Sequence, residues 1–190
     1  FVRALATSTT TRVSVDSAGV EGDNLSQLPT ISGNGRFVAF SSGATNLVSG
    51  DTNGEADIFV RDRLTNTTTR ISVSSTGEEA NNTSVGATIS DDGHFIVFSS
   101  TATNLITGDT NGFSDIFLHH RLTGRTERVS ISSTGDQADN SSFNPILSNN
   151  GRYIAFRSNA TNLVPNDTNA VGDIFVFTRA FPVYLPLLER

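Results

Sequence analysis

The sequence predicts an all-β fold built from one repeated unit, and three observations support this prediction. Arg12, Arg70 and Arg128 lie 58 residues apart, and recurring glycine, asparagine and aspartate positions keep the same interval without an insertion. The runs "RFVAF", "HFIVF" and "RYIAF" recur at that interval and are rich in aromatic and β-branched residues, which favour strands. No window of about 11 residues shows helical periodicity with caps, so the repeat is not a helical solenoid.

Each unit contains four strand-like runs, which we label a to d in chain order. In the first unit they span 28–32, 36–42, 57–63 and 68–74. The turns between a and b read "GNG", "DDG" and "NNG", which predicts tight hairpins with glycine in a left-handed conformation. Four short antiparallel strands per repeat are typical of one blade of a β-propeller. We therefore predict a propeller-type array of four-stranded antiparallel blades within one domain.

The same interval predicts where the blades begin and end. Residues 1–16 align with the end of strand c and with strand d, which makes a half blade, and full units follow at 17–74, 75–132 and 133–190. The last strand, 183–190, reads "VYLPLLER" and departs from the "TRVSV" pattern of strand d. Three and a half blades are fewer than the roughly four to eight that close a ring. The chain is then either a piece of a longer propeller or a subunit that receives strands from a neighbour.

The repeat resembles a known family. The unit "S-x-x-G-R-[FY]-[VI]-A-F-x-S … D-T-N-x-x-x-D-I-F-V" resembles the WD40-like PD40 repeats of TolB-type β-propellers, over nearly the whole chain. This resemblance implies the propeller fold, which supports many different activities. The closing segment "FPVYLPLLER" is similar to the C-terminal ends of secreted bacterial surface proteins. Together these resemblances imply an exported bacterial protein, located outside the cell or at the cell surface.

The loop between strands b and c predicts a metal site in every unit. It carries Asp, Asn and Asp at positions 1, 3 and 7, and an EF-hand loop places calcium ligands at positions 1, 3, 5 and 7. The EF-hand glutamate at position 12 has no counterpart here. No histidine or cysteine lies in these loops, which favours calcium over a transition metal. The predicted Ca²⁺ ligands are Asp51, Asn53, Asp57, Asp109, Asn111, Asp115, Asp167, Asn169 and Asp173.

The alternative explanation of these loops is structural. Asp and Asn side chains can bond to their own backbone in Asx-turns, which would end strand b and begin strand c. This explains Asp51 and Asn53 better than the aspartate at position 7, because aspartate is disfavoured where a strand starts. The loops from d to the next a emerge on the same face of a meander and carry Asp23, Asn81 and Asp139.

Composition restricts the partners. The net charge of −6 and the pI near 4.9 argue against nucleic acid and anionic membrane surfaces. No apolar run reaches the roughly 20 residues of a membrane span. We expect self-association into a homopolymer, with the apolar tail as the strand donated to a neighbour. The predicted assembly strand consists of Val183, Tyr184, Leu185, Leu187 and Leu188.

An enzymatic function is not expected. No serine lies in a Gly-x-Ser-x-Gly motif, and carboxylate pairs recur in every unit, whereas a catalytic pair would be expected once. His119 and His120 are adjacent in strand c, so they point to opposite faces and cannot serve one site. We expect both to be solvated.

Two hypotheses of function follow. The first is an exported structural protein, a calcium-binding, propeller-like subunit of a filament or surface assembly that is joined by strand sharing between chains. The alternative is a fragment of a larger TolB-like propeller that binds a protein or peptide partner. A subunit is expected to assemble at micromolar concentration, whereas a fragment is expected to be a monomer or to misfold.

Overall fold

The computed structural model describes residues 1–179, which form strands, turns and loops. Thirteen strands in this part of the chain form four antiparallel sheets. They are β1 (Val2–Ala4), β2 (Thr9–Thr11), β3 (Ser26–Ile31), β4 (Phe37–Ser42), β5 (Asp57–Asp62), β6 (Thr67–Arg70), β7 (Ser84–Ile89), β8 (Phe95–Ser100), β9 (Asp115–His120), β10 (Arg125–Arg128), β11 (Ser142–Leu147), β12 (Tyr153–Ser158) and β13 (Asp173–Thr178). Residues 1–179 contain no helix that could cross a membrane.

Each sheet is a meander, in which neighbouring strands are consecutive in the sequence. Strands β3 to β6 form blade 1, β7 to β10 form blade 2, β11 to β13 form the described part of blade 3, and β1 pairs with β2. The predicted all-β fold and the four-stranded antiparallel blade are thereby confirmed. The predicted last strand, 183–190, lies outside the described residues, as does the predicted assembly strand within it.

Strand d is shorter than the predicted 68–74: β6 covers only Thr67–Arg70. Beyond Arg70 a side chain replaces one bond of the regular ladder. The amide of Ile58 in β5 donates to the hydroxyl of Ser72 at 3.0 Å, and blade 2 repeats this contact at its equivalent residues. The serine of the strand d pattern is therefore a backbone partner of strand c.

The blades pack against one another through continuous apolar faces. Every residue of β4 and β5 is buried, because blade 1 has neighbours on both sides of its sheet. One buried cluster joins Phe37 and Val60 of blade 1 to Ile96 and Phe98 of blade 2. Strands buried on both faces read as near-continuous apolar runs rather than as alternating ones. This explains why "FVAF" and "DIFV" carry no polar alternation.

The hairpin glycines allow the blades to approach closely. Gly35, Gly93 and Gly151 have φ angles of 69°, 73° and 69°, which confirms the predicted left-handed conformation. A Cβ atom on Gly93 would lie 2.1 Å from the ring of Phe37 in blade 1, and one on Gly151 would lie 2.7 Å from the ring of Phe95 in blade 2. Each aromatic ring thus packs on the bare glycine backbone of the next blade.

An arginine of the following blade covers each of these rings. The guanidinium carbon of Arg121 lies 4.0 Å from the centre of the Phe37 ring, and that of Arg179 lies 3.6 Å from the centre of the Phe95 ring. Arg121 also donates through Nε to the carbonyl of Gly93 at 2.8 Å. Cation–π contacts of this kind strengthen as they are removed from water. Ring, glycine and arginine therefore form one repeated contact between blades.

Candidate functional site

Three carboxylates converge on one arginine where the b–c loop of blade 1 meets strand d. The Nη1 atom of Arg70 lies 3.5 Å from Asp51 and 3.3 Å from Asp57, and it also pairs with Glu79. Asp57 is completely buried, and the side chain of Arg70 is nearly so. A buried carboxylate is stable only when a partner compensates for its lost hydration. Arg70 is that partner.

Blade 2 repeats the arrangement with one carboxylate fewer. The Nη1 atom of Arg128 lies 3.3 Å from Asp109 and 2.9 Å from Asp115, and it donates to Oε1 of Gln137 at 2.9 Å. Gln137 takes the place of Glu79 of blade 1. Asp115 is completely buried and accepts a further bond from the hydroxyl of Ser130 at 2.6 Å.

The asparagine of the loop acts as a structural residue. Oδ1 of Asn53 accepts from the amide of Glu55 at 2.8 Å, which is an Asx-turn, and Nδ2 donates to Asp57 at 3.0 Å. The same two bonds recur in blades 2 and 3. The structural alternative is thus confirmed for this asparagine, which holds the loop and also orients the buried aspartate.

The electrostatics of the cluster reflect burial. Burial raises the pKa of Asp51 to about 6, while Arg70 opposes this rise and the neighbouring carboxylates add to it. Burial also raises the pKa of Asp57, against the bonds from Ser72 and Asn53. The pKa of Glu79 is lowered, because the bonds from Thr52 and the charge of Arg70 together outweigh its burial. Burial thus disfavours the charged forms of Asp51 and Asp57, and the charge of Arg70 opposes this effect at both.

The cluster of blade 1 has the spacing of a cation site. Carboxylate oxygens of Asp51, Asp57 and Glu79 lie within 4.8 Å of one another. The guanidinium of Arg70 already supplies a positive charge there, and Oδ1 of the predicted ligand Asn53 is bonded to backbone. The residues of blades 1 and 2 therefore fit arginine as their counter-ion better than Ca²⁺. Calcium binding stays a prediction of the sequence.

Blade 3 keeps the b–c loop but differs at the arginine that contacts its aspartates in blades 1 and 2. Asn169 donates to Asp173 at 3.1 Å, as in the other blades. Within residues 1–179, no arginine contacts Asp167 or Asp173. The 58-residue interval places the arginine position of strand d at Pro186, beyond the described residues. The carboxylates of blade 3 thus form the part of the motif that receives an arginine in blades 1 and 2.

The outer edge of β13 is the second difference. In blades 1 and 2, strand d pairs with strand c along its full length. Within the described part of the chain, β13 pairs with β12 alone. On the sheet face, Ile174 and Val176 of β13 are 72% and 64% exposed, whereas the equivalent Ile58 and Val60 of β5 are packed against blade 2 and are 0% and 1% exposed. Apolar surface that blade 1 buries is open in blade 3.

A cavity of about 590 Å³ lies beside this edge. Its apolar wall includes Phe156, Leu163, Phe175 and Phe177, and its rim is the turn that follows strand d of blade 2. The cavity occupies the place that strand d takes in the preceding blades. It is therefore shaped for an extended segment.

The contacts of strand d in blade 1 show what this cavity offers. Thr68 donates through its hydroxyl to the carbonyl of Val15 at 2.5 Å and through its amide to the hydroxyl of Ser17 at 3.0 Å. Blade 2 repeats both bonds, at 2.6 Å and 2.9 Å. The equivalent acceptors in blade 3 are the carbonyl of Ile131 and the hydroxyl of Ser133, and both residues line the cavity.

The d–a loops lie on the same face as the b–c loops, as the meander predicts. The carboxylate of Asp23 accepts from the amide and the hydroxyl of Thr45, both at 2.8 Å, and Oδ1 of Asn46 accepts from the amide of Asp23 at 3.0 Å. The bond from the Thr45 hydroxyl is the main cause that lowers the pKa of Asp23. Asn81 and Asp139 make equivalent bonds in the next two units. These residues connect the two loops.

The prediction that His119 and His120 are solvated is wrong for His119. This residue is 4% exposed, because strand c is covered on both faces by neighbouring blades. The hydroxyl of Thr126 donates to Val73, so Nδ1 of His119, 2.9 Å away, is the donor to that hydroxyl. His120 lies on the other face and stacks on Phe95.

The burial of His119 leads to an expected pH dependence of stability. Burial lowers its pKa from 6.5 to about 4. As pH falls from about 6.5 to about 4, the unfolded chain binds a proton that the folded chain refuses, so the free energy of unfolding decreases by up to about 3 kcal/mol. The measurement is urea unfolding from pH 4 to 7 for the natural protein and His119→Gln. The raised pKa of Asp51 makes the free energy of unfolding change with pH in the opposite direction, but this contribution is the same in the natural protein and in His119→Gln. Identical pH profiles would contradict the prediction.

Comparisons with known proteins agree with the blade architecture. No family model matches the sequence, and no curated protein matches it. Among solved structures, a protein of Agrobacterium tumefaciens described as TolB is similar over 72% of this chain, at 20% identity and a TM-score of 0.48. TolB from Acinetobacter baumannii is similar over 84%, at 17% identity and a TM-score of 0.47. The likeness to TolB structures concerns the fold alone, and the antiparallel sheets of residues 1–179 are those that the predicted TolB-type resemblance implies. The chain spans 39% and 33% of the length of these two proteins.

Proposed function

We propose that this chain is a non-enzymatic, protein-binding β-propeller module that takes up an extended segment of a partner along β13. The observation that carries the proposal is the outer edge of β13 with its adjoining cavity, which no strand within residues 1–179 covers. Addition of a strand to an exposed sheet edge is a common mode of peptide recognition. Main-chain bonds supply affinity, and pockets for alternate side chains supply specificity.

The other two blades indicate which segment would fit. A threonine would bond to Ile131 and Ser133, as Thr68 bonds in blade 1. An arginine two residues later would enter the carboxylates of Asp167 and Asp173, and an aliphatic residue would follow it towards the apolar wall. A serine would then accept from the amide of Ile174. The partner segment is therefore of the type Thr-x-Arg-aliphatic-Ser, in an extended conformation.

The remaining chemistry of the chain supports binding rather than catalysis. The carboxylates of blades 1 and 2 are engaged by arginine, and His119 is buried between blades. We also propose a location outside the cell or at its surface, because the repeat resembles those of exported bacterial propellers. Filament assembly through the tail at 183–190 stays a prediction, since that segment lies outside the described residues.

The proposal is tested by binding of a peptide to the full chain. A fluorescein-labelled peptide with the sequence of residues 67–74, "TTTRISVS", is titrated with the protein, and its anisotropy is measured. We expect saturable binding with a Kd of roughly 1–100 µM, a range typical of a short segment with few anchors. The same peptide carrying Arg70→Ala is expected to bind at least about tenfold more weakly, since it loses a charged partner.

Matched protein variants identify the site. Asp173→Asn is expected to lower the affinity for the peptide with arginine strongly and for the peptide with alanine only slightly. A double-mutant cycle reports this difference as a coupling energy between Asp173 and the arginine. Asp91→Asn, an exposed carboxylate in the a–b turn of blade 2, is the control and is expected to leave binding unchanged. Absence of saturable binding up to about 1 mM protein would overturn the proposal.

A further inference from the structure

We infer that the segment bound along β13 is residues 9–15 of a second copy of this chain; this inference rests on the proposed function. The sequence of the segment is the first reason. Thr10, Arg12, Val13 and Ser14 stand in the positions that Thr68, Arg70, Ile71 and Ser72 occupy in strand d of blade 1. The segment therefore carries the complete Thr-x-Arg-aliphatic-Ser pattern. Residues 184–188 read "YLPLL" at the same positions and lack the threonine, the arginine and the serine.

The surroundings of Arg12 are the second reason. Arg70 and Arg128 are nearly buried and each contacts two aspartates, whereas Arg12 is 38% exposed in its side chain and pairs with Glu21 alone among the carboxylates of residues 1–179. Asp167 and Asp173 are the converse, aspartates of the same motif that no arginine contacts within residues 1–179. Arginine and aspartates are thus separated onto two ends of one molecule. They can be combined when blade 3 of one copy meets residues 9–15 of the next.

The contact between blades supplies an independent third reason. Tyr153 of blade 3 stands where Phe37 and Phe95 stand in blades 1 and 2, and it is 42% exposed. Phe37 packs on Gly93 beneath Arg121 of the following blade. The blade that follows blade 3 must therefore present a bare glycine and an arginine to this ring.

Blade 1 presents that pair on its opposite, outward side. Arg63 donates to the carbonyl of Gly35, which is the bond that Arg121 makes to Gly93 and Arg179 makes to Gly151. Within residues 1–179, no aromatic ring packs on Gly35. Blade 1 of a second copy is thus complementary to blade 3 of the first, with Tyr153 packed on Gly35 beneath Arg63. Residues 9–15 immediately precede blade 1, so both contacts arise in one head-to-tail arrangement.

The exchange concerns the pairing of β2 alone, since Val13 is buried against blade 1 of its own copy and keeps that contact. Within one copy, β2 pairs with β1 over three residues, and all three residues of β2 are exposed. On β13 the same segment would gain a ladder of the length of β6, an arginine–carboxylate cluster and an apolar wall. A short, exposed two-stranded ribbon is marginal in stability by itself. Exchange of β2 from β1 to β13 of a neighbour is therefore favoured.

Two complementary variants test this arrangement in the full chain. Arg12→Glu destroys the donor segment and leaves blade 3 intact. Tyr153→Ala combined with Asp173→Asn destroys the acceptor and leaves residues 9–15 intact. The altered side chains of Arg12 and Tyr153 are exposed, so both proteins are expected to fold. Their masses are followed by sedimentation velocity at concentrations up to about 100 µM, which covers contacts weaker than micromolar.

The natural chain is expected to form a dimer as concentration rises, since two copies provide six blades, a number that closes a ring, through two equivalent head-to-tail contacts. Each variant alone is expected to stay monomeric, and an equal mixture of the two is expected to form a heterodimer and nothing larger. A monomeric natural chain, or a mixture that stays monomeric while the natural chain assembles, would overturn the inference. If the natural chain is monomeric while the peptide of residues 67–74 still binds, the inference alone fails. If the natural chain does not assemble and the peptide does not bind, the proposed function fails as well.

Discussion

Replacement of Arg128 by methionine is expected to lower the free energy of unfolding by about 3–5 kcal/mol, because it leaves a buried charge without its partner. Asp115 is completely buried, and Arg128 donates to it at 2.9 Å. The measurement is urea unfolding at pH 7. The control is Arg125→Met, which removes an exposed arginine three residues earlier in the same strand. That variant is expected to change stability by less than about 1 kcal/mol.

A second variant separates the lost charge pair from lost packing. Asp115→Asn combined with Arg128→Met removes both charges, and it is expected to recover part of the stability that Arg128→Met loses. A loss below about 1 kcal/mol for Arg128→Met would contradict the role of arginine as the counter-ion. If a chelator then lowered the melting temperature, the carboxylates would be neutralised by a cation, as the calcium prediction states.

Gly93→Ala is expected to destabilise the fold by about 2–5 kcal/mol, from backbone strain of roughly 1–2 kcal/mol together with overpacking of roughly 1–3 kcal/mol. The new Cβ would lie 2.1 Å from the ring of Phe37, and the φ angle of Gly93 is 73°. The matched control is Gly124→Ala, at a φ of 72° with nothing within 4 Å of the new Cβ. Its loss is expected to be the strain alone, about 1–2 kcal/mol.

The difference between the two glycine variants measures the contact between blades 1 and 2. Thermal or urea unfolding of both proteins at one pH provides it. Equal losses in Gly93→Ala and Gly124→Ala would mean that the ring of Phe37 does not pack on Gly93. The same result would remove the basis for the proposed contact of Tyr153 with Gly35, because that contact is derived from the blade 1 to blade 2 interface.

The repeat and the blade could be predicted from the sequence because both are local. The 58-residue interval is visible in one chain, and "GNG" between two apolar runs specifies a hairpin by its own backbone requirements. The predicted end of strand d, residue 74, lies beyond the observed end at Arg70, because Ser72 fits the pattern of an ordinary strand residue. Its role as a side-chain partner of Ile58 depends on tertiary contact and has no local pattern.

The arginine of the candidate site could have been predicted, and the burial of His119 could not. Arg70 recurs at the same interval as Asp51 and Asp57, and strands c and d are neighbours in a meander, so the three side chains are brought together by topology. The oxygen spacing of the loop by itself matches a calcium loop, and only the neighbouring Arg70 distinguishes an ion pair from a metal site. His119 occupies the position of Arg61 in blade 1, and its burial follows from the packing of entire blades rather than from nearby residues.

Hydrogen exchange of the amides of β13 tests the central claim most directly, namely that this strand offers an open edge. The amide of Arg179 donates to the carbonyl of Arg152, just before β12. Because amides alternate in direction along a strand, the odd-numbered amides of β13 point to β12, and those of Ile174 and Val176 point to the outer edge. The Arg12→Glu protein is measured at low concentration, with and without saturating peptide of residues 67–74. We expect the two outer amides to exchange quickly alone and at least about tenfold more slowly with peptide, as bonded edge amides do, while Phe175 and Phe177 stay protected throughout. Outer amides that are protected without peptide, or unaffected by it, would contradict the open edge.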